Sequence, residues 1–364
     1  MKILFLGFTK MKFMPYASFY LDEIDCEKNE VHIVYWNRDL KPEDLSSYSN
    51  VKFHEFAVYM EDTIPKYTKI IQFLKYRNFV NSVLKKYNFD MIISLHTLPG
   101  LLILDKLNGA YCKKYILDYR DSTFEKNIFF GLLVKKLALN AILVFVSSDA
   151  FRKFLPSDNK VEIITSHNIL SDSLNHRDER KKSFIKSDKI RIAFWGLLRH
   201  TTLNLKIIER LGNDSRFELH YYGRELSLGD IFRNYCRKHG IMNVFLHGEY
   251  QSTDRYEFIK KTDIIHNCYC DNNTMLAMGN KYYDGIIFRL PQLCMPGSFM
   301  GKRCIERRIG CAFDPNDIDF ADKLYNYMTT FDQTDFDNQC DVELNHILEE
   351  YNYGKYQIHN LLNS

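Results

Sequence analysis

The chain reads as a series of short apolar runs, each closed by a polar or glycine-bearing break and followed by a stretch of helical spacing. Residues 2–7, 31–36, 51–58, 90–95, 115–117, 142–146 and 161–164 are such runs, rich in Ile, Val, Leu and Phe, and each predicts a strand. A helix is expected from about residue 17. Another is expected over 64–87, where Ile70, Ile71, Leu74, Phe79, Val83 and Leu84 recur at helical intervals and are assigned to its inner side. Strands that are apolar throughout, with helices between them, predict a parallel sheet covered on both faces. A polar, charged stretch at 171–189, with Arg177, Asp178, Glu179, Arg180, Lys181 and Lys182 in succession, breaks the rhythm and reads as a linker. The rhythm then restarts, with strands expected at 190–195, 217–222, 244–247, 264–267 and 292–295 and helices at 203–211, 228–239 and 254–261. The pattern predicts an α/β protein of two domains, 1–170 and 190–340, joined by the linker 171–189. A helical tail, 341–364, is placed where it can cross back to the first domain; the last helices are expected at 319–331 and 342–362.

Parallel sheets bind ligands beyond the carboxyl ends of their strands, and this chain gathers polar residues there. In the first half these are His96, then Asp118 with Arg120 and Asp121, then Ser147 with Ser148, then His167 with Asn168. Singly, each has an ordinary structural explanation: a hydrogen-bonded histidine, an internal ion pair, a helix N-cap before residue 150. Together, on one edge, they mark a candidate site. In the second half three strands stop at Gly196, Gly223 and Gly248. Glycine lets a backbone approach a ligand, although tight turns favour it for their own sake. The stretch 279–294 predicts a short helix, a turn through Pro291 and a buried strand. A helix starting near Asn280 presents free N–H groups together with Lys281, a setting for phosphate. Asp284, one turn on, can take hydroxyls of a sugar or ribose. The competing explanation is a surface ion pair at i,i+3. Arg199 and Lys281, the two cations at strand or helix ends, favour a diphosphate pocket.

Composition narrows the classes. The 364 residues are 46% hydrophobic and 26% charged, as in a globular protein, and a net charge of +3 is too mild to argue for a nucleic-acid partner. The nine cysteines are scattered with no Cys-x-x-Cys pair, which predicts free thiols in a reducing compartment. The first seven residues read as a strand and not a signal peptide, because polar residues follow at once. The apolar stretch 128–146 is interrupted by Lys135, Lys136 and Asn140, which argues against a membrane span. No Gly-x-Gly-x-x-Gly follows either first strand and no Walker-type loop is present, so a one-domain dinucleotide site is not expected. Nor do the His, Cys and Asp spacings offer metal ligands, so neither a metal nor another cofactor is expected.

Three segments carry a family resemblance: Ile192-Ala193-Phe194-Trp195-Gly196-Leu197-Leu198-Arg199, then 217–223, then Asn280-Lys281-Tyr282-Tyr283-Asp284 through Leu290-Pro291. The last is similar to the Asn-Lys-x-x-Glu…Gly-x-Pro segment of the bacterial group 1, GT4-like glycosyltransferases of capsule, O-antigen and exopolysaccharide assembly. The resemblance spans nearly the whole chain. It implies the GT-B arrangement, two Rossmann-like domains facing across a cleft. It implies that the second domain binds a nucleotide-sugar, with Arg199 and Lys281 on the diphosphate, Asp284 at the ribose hydroxyls and Gly248-Glu249-Tyr250 near the base. Gly196, Gly223 and Asn280 join this donor set. The first domain would bind the acceptor, with His96, Asp118, Arg120 and Asp121 as the catalytic group facing the donor sugar. The chain departs from the family at the first of its two paired glutamates, whose position falls on Leu276, and at the lysine that usually follows the phosphate-loop arginine; Lys206 lies inside the next helix.

The function so implied is glycosyl transfer from a nucleoside-diphosphate sugar to a hydroxyl of a glycan or lipid-linked acceptor in surface polysaccharide assembly, with retention of configuration. The rivals are a sugar-nucleotide epimerase on the same plan and a non-catalytic sugar-binding subunit. Such donors are cytoplasmic, which places the protein there. The inner face of the plasma membrane is a candidate partner through residues 8–16 and 129–136.

Overall fold

The computed structural model describes residues 1–60, 65–157, 159–179, 189–330 and 332–363. Two compact units emerge, Met1–His167 with Glu349–Ser364, and Asn168–Leu348.

The first unit is built on seven strands: β1 (Lys2–Leu6), β2 (Glu30–Asn37), β3 (Val51–Ala57), β4 (Met91–Leu95), β5 (Tyr115–Tyr119), β6 (Leu143–Val146) and β7 (Ile163–Thr165). All pair in parallel, in the order β3-β2-β1-β4-β5-β6-β7. β1, β4, β5 and β6 are buried along almost their whole length, which is why they read as largely apolar runs. The order reverses between β1 and β4, opening a crevice at their carboxyl ends. The segment after β1 differs from expectation. In place of one helix from residue 17 there are two single 3-10 turns, Met11–Phe13 and Pro15–Ala17, and a four-residue helix Ser18–Leu21. Pro15 explains the break: it has no N–H to give and opens the second turn at its N1 position.

The helix expected over 64–87 runs Lys66–Lys86, and its inner side is the one assigned only in its second half, at Val83 and Leu84. Tyr76, Val80, Val83 and Leu84 enter the core, whereas Ile70, Ile71 and Leu74 are exposed. Apolar residues lie on both sides of its first half, so periodicity gave the helix without giving its rotation.

The second unit holds six parallel strands: β8 (Ile190–Trp195), β9 (Phe217–Tyr222), β10 (Val244–Gly248), β11 (Ile264–Asn267), β12 (Gln292–Cys294) and β13 (Gly310–Ala312). Their order is β10-β9-β8-β11-β12-β13, with the reversal between β8 and β11. Of the expected linker, residues 180–188 lie outside the described residues. The part before them is ordered into a helix, Ser171–Asn175, and a 3-10 turn, Arg177–Glu179. It is tied into the second unit: Tyr256 donates its hydroxyl proton to Asp172 (2.7 Å) and Arg177 pairs with Asp341. The chain's end is also more continuous than expected. A single helix, Gln333–Leu362, replaces a helix starting at 342, and its last turns belong to the first unit. All nine cysteines are free thiols. Among the described residues no helix is long and apolar enough to cross a membrane.

Candidate functional site

A cavity of about 400 Å³ opens at the reversal point of the second sheet. Its walls come from the carboxyl end of β8 and the turn after it (Phe194 to Arg199), from Tyr250 and Arg255 beyond β10, from Tyr269 beyond β11, and from the first turn of helix Asn280–Ile287. Gly196, Arg199, Tyr250, Asn280, Lys281 and Asp284, all marked in the sequence, are brought together on this wall. Gly223 and Gly248 are not on it. They support it: the Gly196 N–H donates to the Tyr222 carbonyl (3.0 Å) and the Gly223 N–H to the Gly248 carbonyl (2.6 Å), so the three strand ends are laced together. At Gly223, φ is +128° and a Cβ would sit 2.0 Å from the Gly196 carbonyl oxygen. That glycine is required by its neighbouring backbone. At Gly196, φ is +124° and a Cβ would meet nothing within 4 Å, because the residue borders the cavity.

Lys281 and Asp284 share a helix face, as their spacing predicts, but no ion pair joins them and neither is on the surface: they are 6% and 3% exposed. The Lys281 ammonium donates to the Trp195 carbonyl (3.1 Å) and to the Tyr269 hydroxyl, and lies 4.0 Å from the Phe194 ring centroid. Burial pushes its pKa down to about 7; Asp284 opposes the shift and the Arg199 charge adds to it. Asp284 accepts the Trp195 indole N–H (2.9 Å) and faces Arg255 at 3.7 Å, while burial pushes its carboxyl upward. Arg199 is exposed on the cavity rim. Its loop is held from behind: His266 accepts the Cys268 N–H on Nδ1 (3.1 Å), so Nε2 carries the proton and donates to Asn204 Oδ1 (2.8 Å). The Asn204 amide then donates to the Arg199 carbonyl (2.7 Å). Burial lowers the His266 pKa to about 3, so this relay stays neutral.

Sequence reasoning missed Arg255. It is 8% exposed, its Nη2 donates to Ser173 Oγ (2.5 Å), and its buried Nε has no hydrogen-bond partner among the described residues. The signal lay in the helix reading of 254–261, but an arginine in a first turn looks like an ordinary surface charge. The cavity therefore gathers two arginines and a lysine around one carboxylate. Such an excess of positive charge in a concave, partly desolvated setting suits a dianion. Among the described residues no group of three or more His, Cys, Asp or Glu side chains is arranged to hold a metal ion.

In the first unit His96 and Asp121 come together, with Nε2 and Oδ2 3.5 Å apart. His96 caps helix Thr97–Leu102 from a left-handed backbone, φ +110°, and its Nδ1 accepts the Leu98 N–H (3.4 Å), which leaves the proton on Nε2 toward Asp121. A non-glycine residue at that φ is strained; the His96 N–H, held by the Asp118 carbonyl (3.0 Å), helps fix it. Asp118 and Arg120, named with them in the catalytic group, differ. Asp118 is 0% exposed, Arg120 is buried, and Arg120 Nη1 donates to both oxygens of Asp118 (3.1 and 2.8 Å) and stacks 4.0 Å from the Tyr16 centroid. Asp118 thus presents no surface of its own in this structure, and its charge is met by Arg120. His167 is likewise engaged, with Glu350 at 2.7 Å.

No family model matches the chain, and no curated protein matches it. Solved structures do. The chain is similar to sucrose-phosphate synthase of Thermosynechococcus elongatus, at 10% identity and a TM-score of 0.71 over 100% of this chain and 98% of that one. It is similar to Anabaena Alr3699/HepE in complex with UDP and glucose, at 12% identity and a TM-score of 0.63 over 100% of both chains. It is similar as well to the UDP-GlcNAc 2-epimerase of Neisseria meningitidis bound to UDP-GlcNAc, at 13% identity and a TM-score of 0.56 over 96% of this chain and 100% of that one. The fold is thus GT-B, with two Rossmann-like units in one α/β chain.

Proposed function

We propose that the protein is a glycosyltransferase that takes its sugar from a nucleoside-diphosphate donor held in the second unit. The observation that carries this is the cavity at the β8/β11 reversal, with Arg199, Lys281 and Arg255 around it and the N-terminus of helix Asn280–Ile287 opening into it. The diphosphate binds Arg199 and Lys281. These groups stabilise the charge that builds on it as the glycosidic bond breaks through an oxocarbenium-like transition state. Asp284 serves the ribose end, and Tyr250, half-buried on the rim, the base end. The likeness to a chain solved with UDP and glucose supports a nucleotide-sugar as the donor.

The acceptor is a hydroxyl of a glycan or lipid-linked sugar in surface polysaccharide assembly, bound by the first unit near His96 and Asp121. The transfer retains configuration: the leaving phosphate takes the acceptor's proton, and no protein base is needed. Binding of UDP, GDP and CMP by calorimetry, repeated on Arg199→Ala and Lys281→Ala, tests the donor site; both variants are expected to lose at least about tenfold in affinity. Unchanged affinity in both removes the reading. Turnover of a bound donor distinguishes the classes, since a transferase releases nucleoside diphosphate only with an acceptor, an epimerase returns an isomeric sugar without one, and a binding subunit does neither. His96→Ala is expected to lower turnover and spare donor affinity.

A further inference from the structure

The totals conceal a strongly uneven charge distribution in the first unit. Helix Lys66–Lys86 carries five lysines and one arginine and no acid at all. The segment 126–140, which contains helix Ile128–Asn140, carries Lys126, Lys135 and Lys136 and again no acid. The right-handed crossovers β3-to-β4, β4-to-β5 and β5-to-β6 all run in one direction across the sheet, so their helices share one face. The short helix Thr97–Leu102 packs against both of the others, with Gly100 set against Leu137.

The outer surface of these two helices is apolar as well as basic. On Lys66–Lys86, Tyr67, Ile70, Ile71 and Leu74 fall at i, i+3, i+4 and i+7, one stripe, and are 69%, 59%, 49% and 52% exposed. On the other, Ile128, Phe129, Leu132 and Leu133 form a second stripe with Phe124 beside it, and Ile128 and Phe129 are 77% and 79% exposed. Both helices already bury an opposite face: Tyr76, Val80, Val83 and Leu84 on the first, Val134, Leu137 and Ala138 on the second. The outward stripes are therefore surplus to the fold. So much exposed aliphatic and aromatic surface on one face of the sheet marks an interaction site.

We propose that this face docks on an anionic phospholipid bilayer. The composition selects that partner. Protein interfaces are depleted in lysine, whereas an interfacial helix sinks Phe, Leu and Ile among acyl chains and keeps lysines at the headgroups. A rim this rich in lysine is complementary to anionic lipid, and the acid set beside it, Asp105, is paired with Arg77 at 3.2 Å. The docking is peripheral, since neither helix is long and apolar enough to span. Residues 129–136 belong to this face; the segment 8–16, where only Phe13 of its large apolar side chains is exposed, does not supply it.

The test is flotation of the full chain with vesicles of phosphatidylcholine, with and without phosphatidylglycerol, at low and high salt. The chain is expected to float with the anionic vesicles, to be left behind by the neutral ones, and to be released by salt. Ile70→Ser with Leu74→Ser, and Ile128→Ser with Phe129→Ser, are each expected to lower vesicle partitioning by at least about tenfold. These side chains are exposed, so the melting temperature should hold, and UDP binding, read by calorimetry, should be untouched whether or not the donor assignment stands. Failure to float with anionic vesicles, or flotation unchanged in both variants, overturns the proposal. So does a concentration-dependent dimer abolished by the same substitutions, which would give the face to a second copy.

Discussion

Lys281 is where the chemistry of the cavity is concentrated. Its ammonium is buried beneath Phe194 and Tyr269 with a pKa near 7, so at neutral pH the free protein holds it about half charged. A bound diphosphate favours the charged form, and binding above pH 7 must then take up a proton. The donor's phosphodiester oxygens stay ionised across this range. Donor affinity is therefore expected to fall as pH rises above 7, by up to about tenfold per unit, when a nucleotide-sugar is titrated by calorimetry between pH 6 and 9. Lys281→Arg should flatten the profile, and a flat wild-type profile would take the phosphate role from Lys281. The same burial has an opposite consequence for stability. The folded pKa lies below the unfolded one, so from pH 7 upward the unfolded chain binds more protons and stability rises with pH. Below pH 7 the charged ammonium is a net cost to the fold. Lys281→Met, similar in length and uncharged, is thus expected to raise the melting temperature of the free protein at pH 6 while abolishing donor binding. A lower melting temperature would mean that the Trp195 and Tyr269 contacts outweigh desolvation.

At the scale of elements, the helix Asn280–Ile287 is positioned from its far side. Tyr282, next to Lys281, donates its hydroxyl proton to Glu343 (2.8 Å), and Arg303 and Arg307 reach the same carboxylate at 2.7 and 3.0 Å. Glu343 is wholly buried and stands on the last helix. Glu343→Ala would strand two guanidinium groups and a phenol. The expected loss is about 3 kcal/mol by urea denaturation, at the low end for a broken buried pair because Arg307 is partly solvated. Donor affinity should fall with it, as the Lys281 helix loses its anchor; a loss under about 0.5 kcal/mol would show the cluster to be dispensable. None of this was legible in the sequence, where Tyr282 and Glu343 stand sixty-one residues apart in an aromatic and an acidic neighbourhood. Fully buried parallel strands are the opposite case. β1 and β8 are apolar save for Lys2 and Arg191 and stop at glycine, so their existence and carboxyl ends could be read directly, and the strand-end residues Gly196 and Arg199 with them. Helix faces could not be. Ile70, Ile71 and Leu74 satisfy the same spacing rule as the core residues Tyr76, Val80 and Val83, and only packing decides which stripe turns inward. Arg255 and the Asp284–Trp195 bond were hidden for a related reason: they join elements distant in sequence, and no local pattern encodes the pairing.

For the whole molecule, the two units do not divide the chain at a single point, because the final helix begins with one and ends with the other. Its last turns carry Tyr351, Ile358 and Leu362 into the first unit's core. Tyr351 packs 4.9 Å from the Phe19 ring centroid, Gly354 lies against Phe19 and Phe145, and Lys355 pairs with Glu23 at 2.9 Å. Burying three such side chains contributes roughly 5–8 kcal/mol, comparable with the whole margin of an ordinary domain. A chain ending at Leu348 should therefore unfold its first unit at far lower temperature or denaturant. Every residue on the wall of the proposed donor cavity lies between Phe194 and Met300, within the second unit. The same truncation should then leave nucleoside-diphosphate affinity within about twofold while turnover disappears, a separation of binding from catalysis made by structure rather than by a site mutation. Calorimetry and denaturation on the one truncated chain check both halves. If donor binding is lost with the first unit, the cavity is not self-sufficient and part of the donor site lies outside the residues assigned to it.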